Sequence, residues 1–203
     1  MLAVPAILDR VPQARVVFVG FGSYREHLEG IFQGLAAGDL EQVAACAASG
    51  DFAQETDLDR WCRPITPDEA ARVTITGVLD HAALSELLPM ASVSVVPSKW
   101  PEAFGMVAVE AMAAGVLPLV NYHAGLRDIV DEVERTMPDV SRLMKLDRDS
   151  FAAQLPDRVA EALRYLYPEG FDRGEHRGEV GRRLREVSVD RFSWGGIAQR
   201  LLP

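Results

Sequence analysis

Apolar residues fall along the chain in two alternating patterns. Short unbroken runs, such as RVVFV (15–19), RVTIT (72–76), SVSVV (92–96) and LPLV (117–120), are separated by longer stretches with apolar residues every three or four positions. The first pattern predicts strands and the second amphipathic helices, so their alternation predicts βα units around a parallel sheet. RVVFV lacks polar alternation and is expected to be buried on both faces. A helix is predicted over 1–11, with Leu2, Ile7, Leu8 and Val11 on one face, as though the chain began inside an element. Gly20-Phe21-Gly22 reads as a strand-to-helix turn, because Arg25 stands where a dinucleotide fingerprint needs its third glycine. Ser23 and Glu26 have capping-box spacing for a helix reaching about Ala37.

Further on, residues 48–72 are polar and acidic and read as a surface insertion. Asp80 is placed to cap a helix over His81 to Leu88. A strongly apolar helix is predicted from Phe104 to Ala114, closed by Gly115, and a short one from Gly125 to Glu132. A fifth strand is predicted over Ser141 to Leu146. Two closing helices follow, about Arg148 to Tyr167 and Glu175 to Leu202, the second broken near Phe192 to Gly196. The expected organisation is one domain over 1–203.

Composition narrows the function classes. A formal charge of −9, from 30 acidic and 21 basic residues, argues against a general nucleic-acid binder. Arg173, Arg177, Arg182, Arg183 and Arg185 cluster late, but interspersed glutamates make a solvated helix face the expectation. Cys46 and Cys62 form neither a disulfide framework nor a zinc spacing, and His27, His81 and His176 show no metal spacing. With no leader-like start and no apolar run of membrane length, the expected location is the cytoplasm.

The chemistry concentrates in PSKWPEAFGMVAVEAMAAGVLPLVNYHAGLRDIV, residues 97–130. A strand ends at Pro97, a loop crosses the carboxyl edge of the sheet, and a helix begins near Phe104; ligands of open parallel sheets bind at that edge. Free N–H groups and the positive dipole end of the helix suit a phosphate, and Gly105 would let it approach. Glu102 lies before the helix and Glu110 inside it, among apolar neighbours where a carboxylate needs a partner. Glu110 alone reads equally as a solvated helix residue, and Glu102 alone as a partner of the helix dipole. His123 either touches a ligand or is a surface histidine, and Lys99 either offsets phosphate charge or is solvated. Trp100 either walls the cleft or packs under the loop. Trp61 and Trp194 read as structural.

The run Ser98, Pro101 to Gly105, Glu110 to Gly115, Pro118 to Val120 and Gly125 resembles the Glu-x7-Glu motif of retaining glycosyltransferases of the GT-B fold. VVFVGFGSYREHL, ITGVLDHAALSELLPMASVSVVPS and DRFSWGGIAQRLL are similar to other segments of that family's C-terminal domain. The resemblance implies a Rossmann-like parallel sheet flanked by helices, the C-terminal half of a GT-B fold lacking its first strand. It implies a nucleoside-diphosphate sugar, UDP-, GDP- or ADP-linked, as donor, and no catalytic metal or other cofactor. Glu102 would meet the donor sugar near the reacting carbon. The backbone of Phe104, Gly105, Met106 and Val107 would hold sugar and distal phosphate, Glu110 the ribose, and Val78 and Leu79 the base. Retention in the family is ascribed to same-face attack, with the donor phosphate taking the acceptor proton. Two departures stand out. Ala124-Gly125 and Asp128 replace the family's paired glycines and glutamate, and the acceptor domain and basic pair have no counterpart before Met1. The isolated chain is therefore expected to be inactive. The alternatives are a non-catalytic nucleotide-binding or interaction module and a GT-B-like epimerase.

Overall fold

The computed structural model of the chain describes residues 1–20, 22, 24–49 and 62–201. The chain folds as an α/β protein with parallel sheets flanked by helices, arranged as two compact units, Met1–His81 and Ala82–Pro203.

In the first unit, helix α1 (Val4–Arg10) precedes strand β1 (Val16–Val19), and helices α2 (Arg25–Ala37), α3 (Leu40–Ala48) and α4 (Pro67–Ala70) lead to strand β2 (Val73–Gly77). β1 and β2 pair in parallel, Val16 opposite Val73. Val4 and Leu8 pack with Val73, against Val16 and Phe18, while Ile31 and Leu35 of α2 pack on Val43 and Ala47 of α3. Val17 and Val19 are exposed, so β1 is covered on one face only, contrary to the two-sided burial its composition suggests. The alternation is real, but an apolar residue occupies every position and hides it. The expected Ser23 capping box falls outside the described residues, as do residues 50–61 of the 48–72 segment, Trp61 among them. The described end of that segment is tied down. Thr66 and Glu69 form a capping box on α4, and Arg63 donates to Asp9 on α1 at 2.6 Å and to Glu69 at 2.7 Å.

In the second unit, helix α5 (His81–Leu87), which opens on the last residue of the first, runs into a 3₁₀ turn over Leu88–Met90. Strands β3 (Val93–Val96), β4 (Leu117–Asn121) and β5 (Lys145–Leu146) form a parallel sheet in that order. Between them lie helices α6 (Met106–Ala113), α7 (Ala124–Glu134) and α8 (Pro138–Met144). Helices α9 (Phe151–Leu166), α10 (Glu175–Phe192) and α11 (Trp194–Leu201) close the unit, with the break where it was expected. All of β4 is buried, and Leu126, Ile129, Val130 and Val133 form the inner stripe of α7. Each such leucine or isoleucine contributes roughly 1.5–3 kcal/mol by leaving water.

Three expectations change here. Residues 141–144 are helical rather than extended, because Pro138 opens a helix whose Val140, Leu143 and Met144 fall on one buried face. Trp194 is 87% exposed, so it is no core residue. The late arginines are not simply solvated: Arg177 donates to the Pro89 and Ala91 carbonyls, Arg183 to Thr136 and Arg185 to Ala113. They fasten α10 to its neighbours by taking carbonyls that end other segments. Among the described residues no helix is long and apolar enough to cross a membrane.

Arg63 and the Thr66 amide hold the Glu69 carboxyl down at about 2. A carboxylate depressed below its ordinary value stabilises the fold above that value and loses its contribution as pH falls toward the folded one. Protection of the β1 and β2 amides, taken relative to the intrinsic exchange rate at each pH, should therefore fall between about pH 4.5 and pH 2. Arg63→Ala should weaken that dependence and speed exchange at neutral pH.

Candidate functional site

The second unit gathers the motif residues where β3 and β4 end, as the strand–loop–helix pattern requires. Ser98 follows β3, and its carbonyl accepts from Asn121 Nδ2 at 3.1 Å and from His123 Nε2 at 2.7 Å. A carbonyl only accepts, so His123 carries its proton on Nε2. The Ser98 hydroxyl donates to Glu102 Oε1. The Glu102 carbonyl in turn accepts from the Gly125 amide at 3.0 Å, joining the loop to the first turn of α7. Glu102 is half-buried, with its carboxylate held by the loop that carries it.

Gly125 permits that junction. A methyl group there would lie 2.7 Å from both the Ala103 carbonyl and the Phe104 Cα. Ala124 beside it has a φ of +46°, the left-handed region where a Cβ is costly and where the resembling family often has glycine.

The loop next drops Gly105 onto α7. Its φ is +86°, and a Cβ would lie 2.6 Å from Leu126 Cδ2. A left-handed residue cannot continue a right-handed helix, so α6 begins at Met106 rather than at Phe104, with Gly105 as N-cap instead of first-turn residue. Phe104 remains in the loop and stacks edge-on against Phe192, ring centroids 5.7 Å apart. The amides of Met106 and Val107, in the first turn, have no acceptor within α6.

The buried stripe of α6 is Ala108, Ala111 and Met112. Glu110 stands off that stripe and is exposed, along with Met106 (57%) and Val107 (52%). The expectation of a carboxylate enclosed by apolar neighbours is thus corrected. α6 is apolar almost all round, and composition does not reveal which stripe packs. What results is an exposed helix face carrying two apolar side chains and one carboxylate, next to unpaired amides. Trp100 is 75% exposed and does not pack under the loop.

Val78 and Leu79 follow β2 in the first unit, Val78 exposed and Leu79 half-buried. Glu102, Phe104, Gly105, Met106, Val107 and Glu110 all belong to the second unit. Asp128 is exposed on α7. Asn121 was the residue that sequence reasoning passed over, and its signal was a single polar side chain ending an otherwise apolar strand at the sheet's carboxyl edge. Its Oδ1 is buried without a partner among the described residues. Nearby, Tyr122 donates to Asp131 at 2.5 Å, and burial first, then this carboxylate, pushes its phenol up to about 12. No group of three or more His, Cys, Asp or Glu gathers as metal ligands would, among the described residues.

The family model described as glycosyl transferases group 1 matches residues 1–137, more than half of the 203-residue chain and all of the site. The chain belongs to the group 1 glycosyltransferases. Among curated relatives, a sulfoquinovosyl transferase of Arabidopsis thaliana is 30% identical over 128 residues, 63% of this chain and 18% of that protein. An uncharacterized glycosyltransferase of Methanocaldococcus jannaschii is 25% identical over 185 residues, 91% of the chain and 42% of its own length. A mannosylfructose-phosphate synthase of Agrobacterium fabrum is 28% identical over 131 residues, 64% of the chain and 25% of that enzyme. This group 1 chain therefore spans less than half the length of each of these three relatives.

Neighbouring substitutions should act in opposite directions. Ala124→Gly relieves the left-handed alanine and should stabilise the second unit by up to about 1 kcal/mol, after the entropy glycine regains on unfolding. Gly125→Ala forces a methyl group into the Glu102–Phe104 backbone and should cost roughly 1–3 kcal/mol. Urea midpoints at constant m-value measure both.

Proposed function

We propose that this chain is the donor-binding part of a retaining glycosyltransferase acting on a nucleoside-diphosphate sugar. The observation that supports it best is the adjacency of three features at the carboxyl edge of β3 and β4. These are an oriented carboxylate on Glu102, unpaired amides opening α6, and an exposed face of Met106, Val107 and Glu110. A nucleotide sugar needs all three: an acceptor for sugar hydroxyls, donors for phosphate, and an acceptor for the two ribose hydroxyls.

In this reading the distal phosphate lies at the amides of Met106 and Val107, with Gly105 and the backbone of Phe104 beside it. Glu102 accepts from sugar hydroxyls near the anomeric carbon and favours the positive charge that develops there in the transition state. Ser98 holds that carboxylate through its hydroxyl, and Asn121 and His123 hold Ser98 through its carbonyl. Glu110 takes the ribose. The acceptor hydroxyl attacks from the face the nucleotide leaves and gives its proton to the departing phosphate, so configuration is retained with no metal or other cofactor. Since the chain spans under half of each relative, the transfer itself is proposed together with the further residues that such proteins carry.

The two glutamates should separate in binding. Titration with UDP, GDP and ADP, followed by amide NMR, should shift residues 102–110 for at least one of them. Silence with all three would sink the proposal. Glu110→Ala should weaken that nucleotide about tenfold or more, the worth of a hydrogen bond to a charged group. Glu102→Ala should leave the free diphosphate's affinity unchanged and remove only the extra affinity of the sugar-bearing form.

Asn121→Ala tests the loop. It deletes a bond to Ser98 but also a buried oxygen without a partner, so stability should change by less than about 1 kcal/mol. Sugar-nucleotide binding should nonetheless weaken roughly threefold to tenfold as Ser98 and Glu102 lose their hold.

A further inference from the structure

The far end of α6 carries a second feature that the donor reading does not use. Helix α10 crosses α6 with Gly181 against Gly115, so closely that a methyl group on Gly181 would lie 2.5 Å from the Gly115 carbonyl oxygen. Beside that crossing is a cleft of about 230 Å³, lined by Gly115, Arg177, Gly178, Gly181, Arg182 and Arg185. Residues 178, 181, 182 and 185 are spaced to share one face of α10.

The three arginines differ in what holds them. Arg182 is neutralised by Glu179 at 2.6 Å and by Glu186. Arg177 gives Nη2 to the Pro89 and Ala91 carbonyls, each at 2.8 Å, and Arg185 gives Nε to the Ala113 carbonyl at 2.8 Å. Carbonyls fix a guanidinium in place without cancelling its charge. Among the described residues neither Arg177 nor Arg185 has a carboxylate partner, in a chain whose formal charge is −9. Both keep further N–H groups in the planar fork that matches an oxyanion. The carbonyl end of α6 would by itself repel an anion, but Arg185 caps it. The glycines leave the approach open.

We propose that this cleft binds a phosphate group, held by Arg177 and Arg185, at a site separate from the donor site. It lies at the opposite end of α6, roughly 12 Å along the axis by helical rise. Its α10 residues fall beyond the 1–137 stretch that the family model matches. The ligand's chemistry is that of a phosphate monoester, carried either by a small soluble molecule or by a lipid headgroup.

The test is NMR on the whole chain, following arginine Nε–H signals and glycine amides during titration with inorganic phosphate at constant ionic strength. Saturable shifts at Arg177, Arg185, Gly115 and Gly178, persisting in the presence of UDP, are expected. Arg177→Gln should weaken binding about tenfold. Glu179→Gln with Glu186→Gln, both on the surface, should tighten it several-fold by releasing Arg182, an effect that loss of folding would not mimic. Sedimentation with phosphatidylcholine vesicles containing phosphatidic acid distinguishes the sources. Arg177-dependent vesicle binding assigns the phosphate to a lipid, and phosphate binding without it assigns a soluble ligand. Shifts that never saturate or that chloride reproduces, with no Arg177-dependent vesicle binding, would overturn the proposal.

Discussion

One backbone hydrogen bond, from the Gly125 amide to the Glu102 carbonyl, organises the candidate site. It ties the loop after β3 to the helix after β4, so the two halves of the site are held in one frame. The approach is close enough that no side chain fits at position 125. The neighbouring Ala124 is left in a conformation alanine disfavours, a local cost the surrounding packing sustains. From that junction follow the position of Gly105 on Leu126, the late start of α6, and the exposure of its first amides.

Around this junction polar side chains act through one another. Asn121 and His123 end the buried strand β4 and converge on a single carbonyl, that of Ser98. Ser98 then orients Glu102. The arrangement places rigid strand ends behind a loop, so the Glu102 carboxylate inherits precision from the sheet although it sits on irregular backbone. Phe192, at the end of α10, touches Phe104, so the closing helices also bear on the loop.

Helix α6 joins two regions of opposite character. Its amino end offers unpaired N–H groups beside the glutamates, and its carbonyl end is capped by Arg185 from α10. Only Ala108, Ala111 and Met112 anchor it inside. A helix so short, anchored mainly through small residues, can lie close to its neighbours and still leave Met106, Val107 and Glu110 exposed.

The family, the βα alternation and the place of the motif were legible in the sequence, because short apolar runs, Gly115 and the break near Ser193 act within a few residues of themselves. So was Glu102, since a loop between a strand and a helix lies at the sheet's edge whatever the rest of the chain does. Burial was not legible where apolar residues surround an element: β1 proved to be covered on one face, and Glu110 shares with Met106 and Val107 a helix face that is exposed rather than enclosed. Nor was the destination of long side chains, as Arg177 and Arg185 reach carbonyls 86 and 72 positions away. The αL turn at Gly105 and the clamp of Asn121 on Ser98 likewise needed the packing of α7 against the loop. Local patterning determined which elements form and where the motif lies. Only the tertiary structure decided which faces meet, because that depends on contacts between residues distant in the chain.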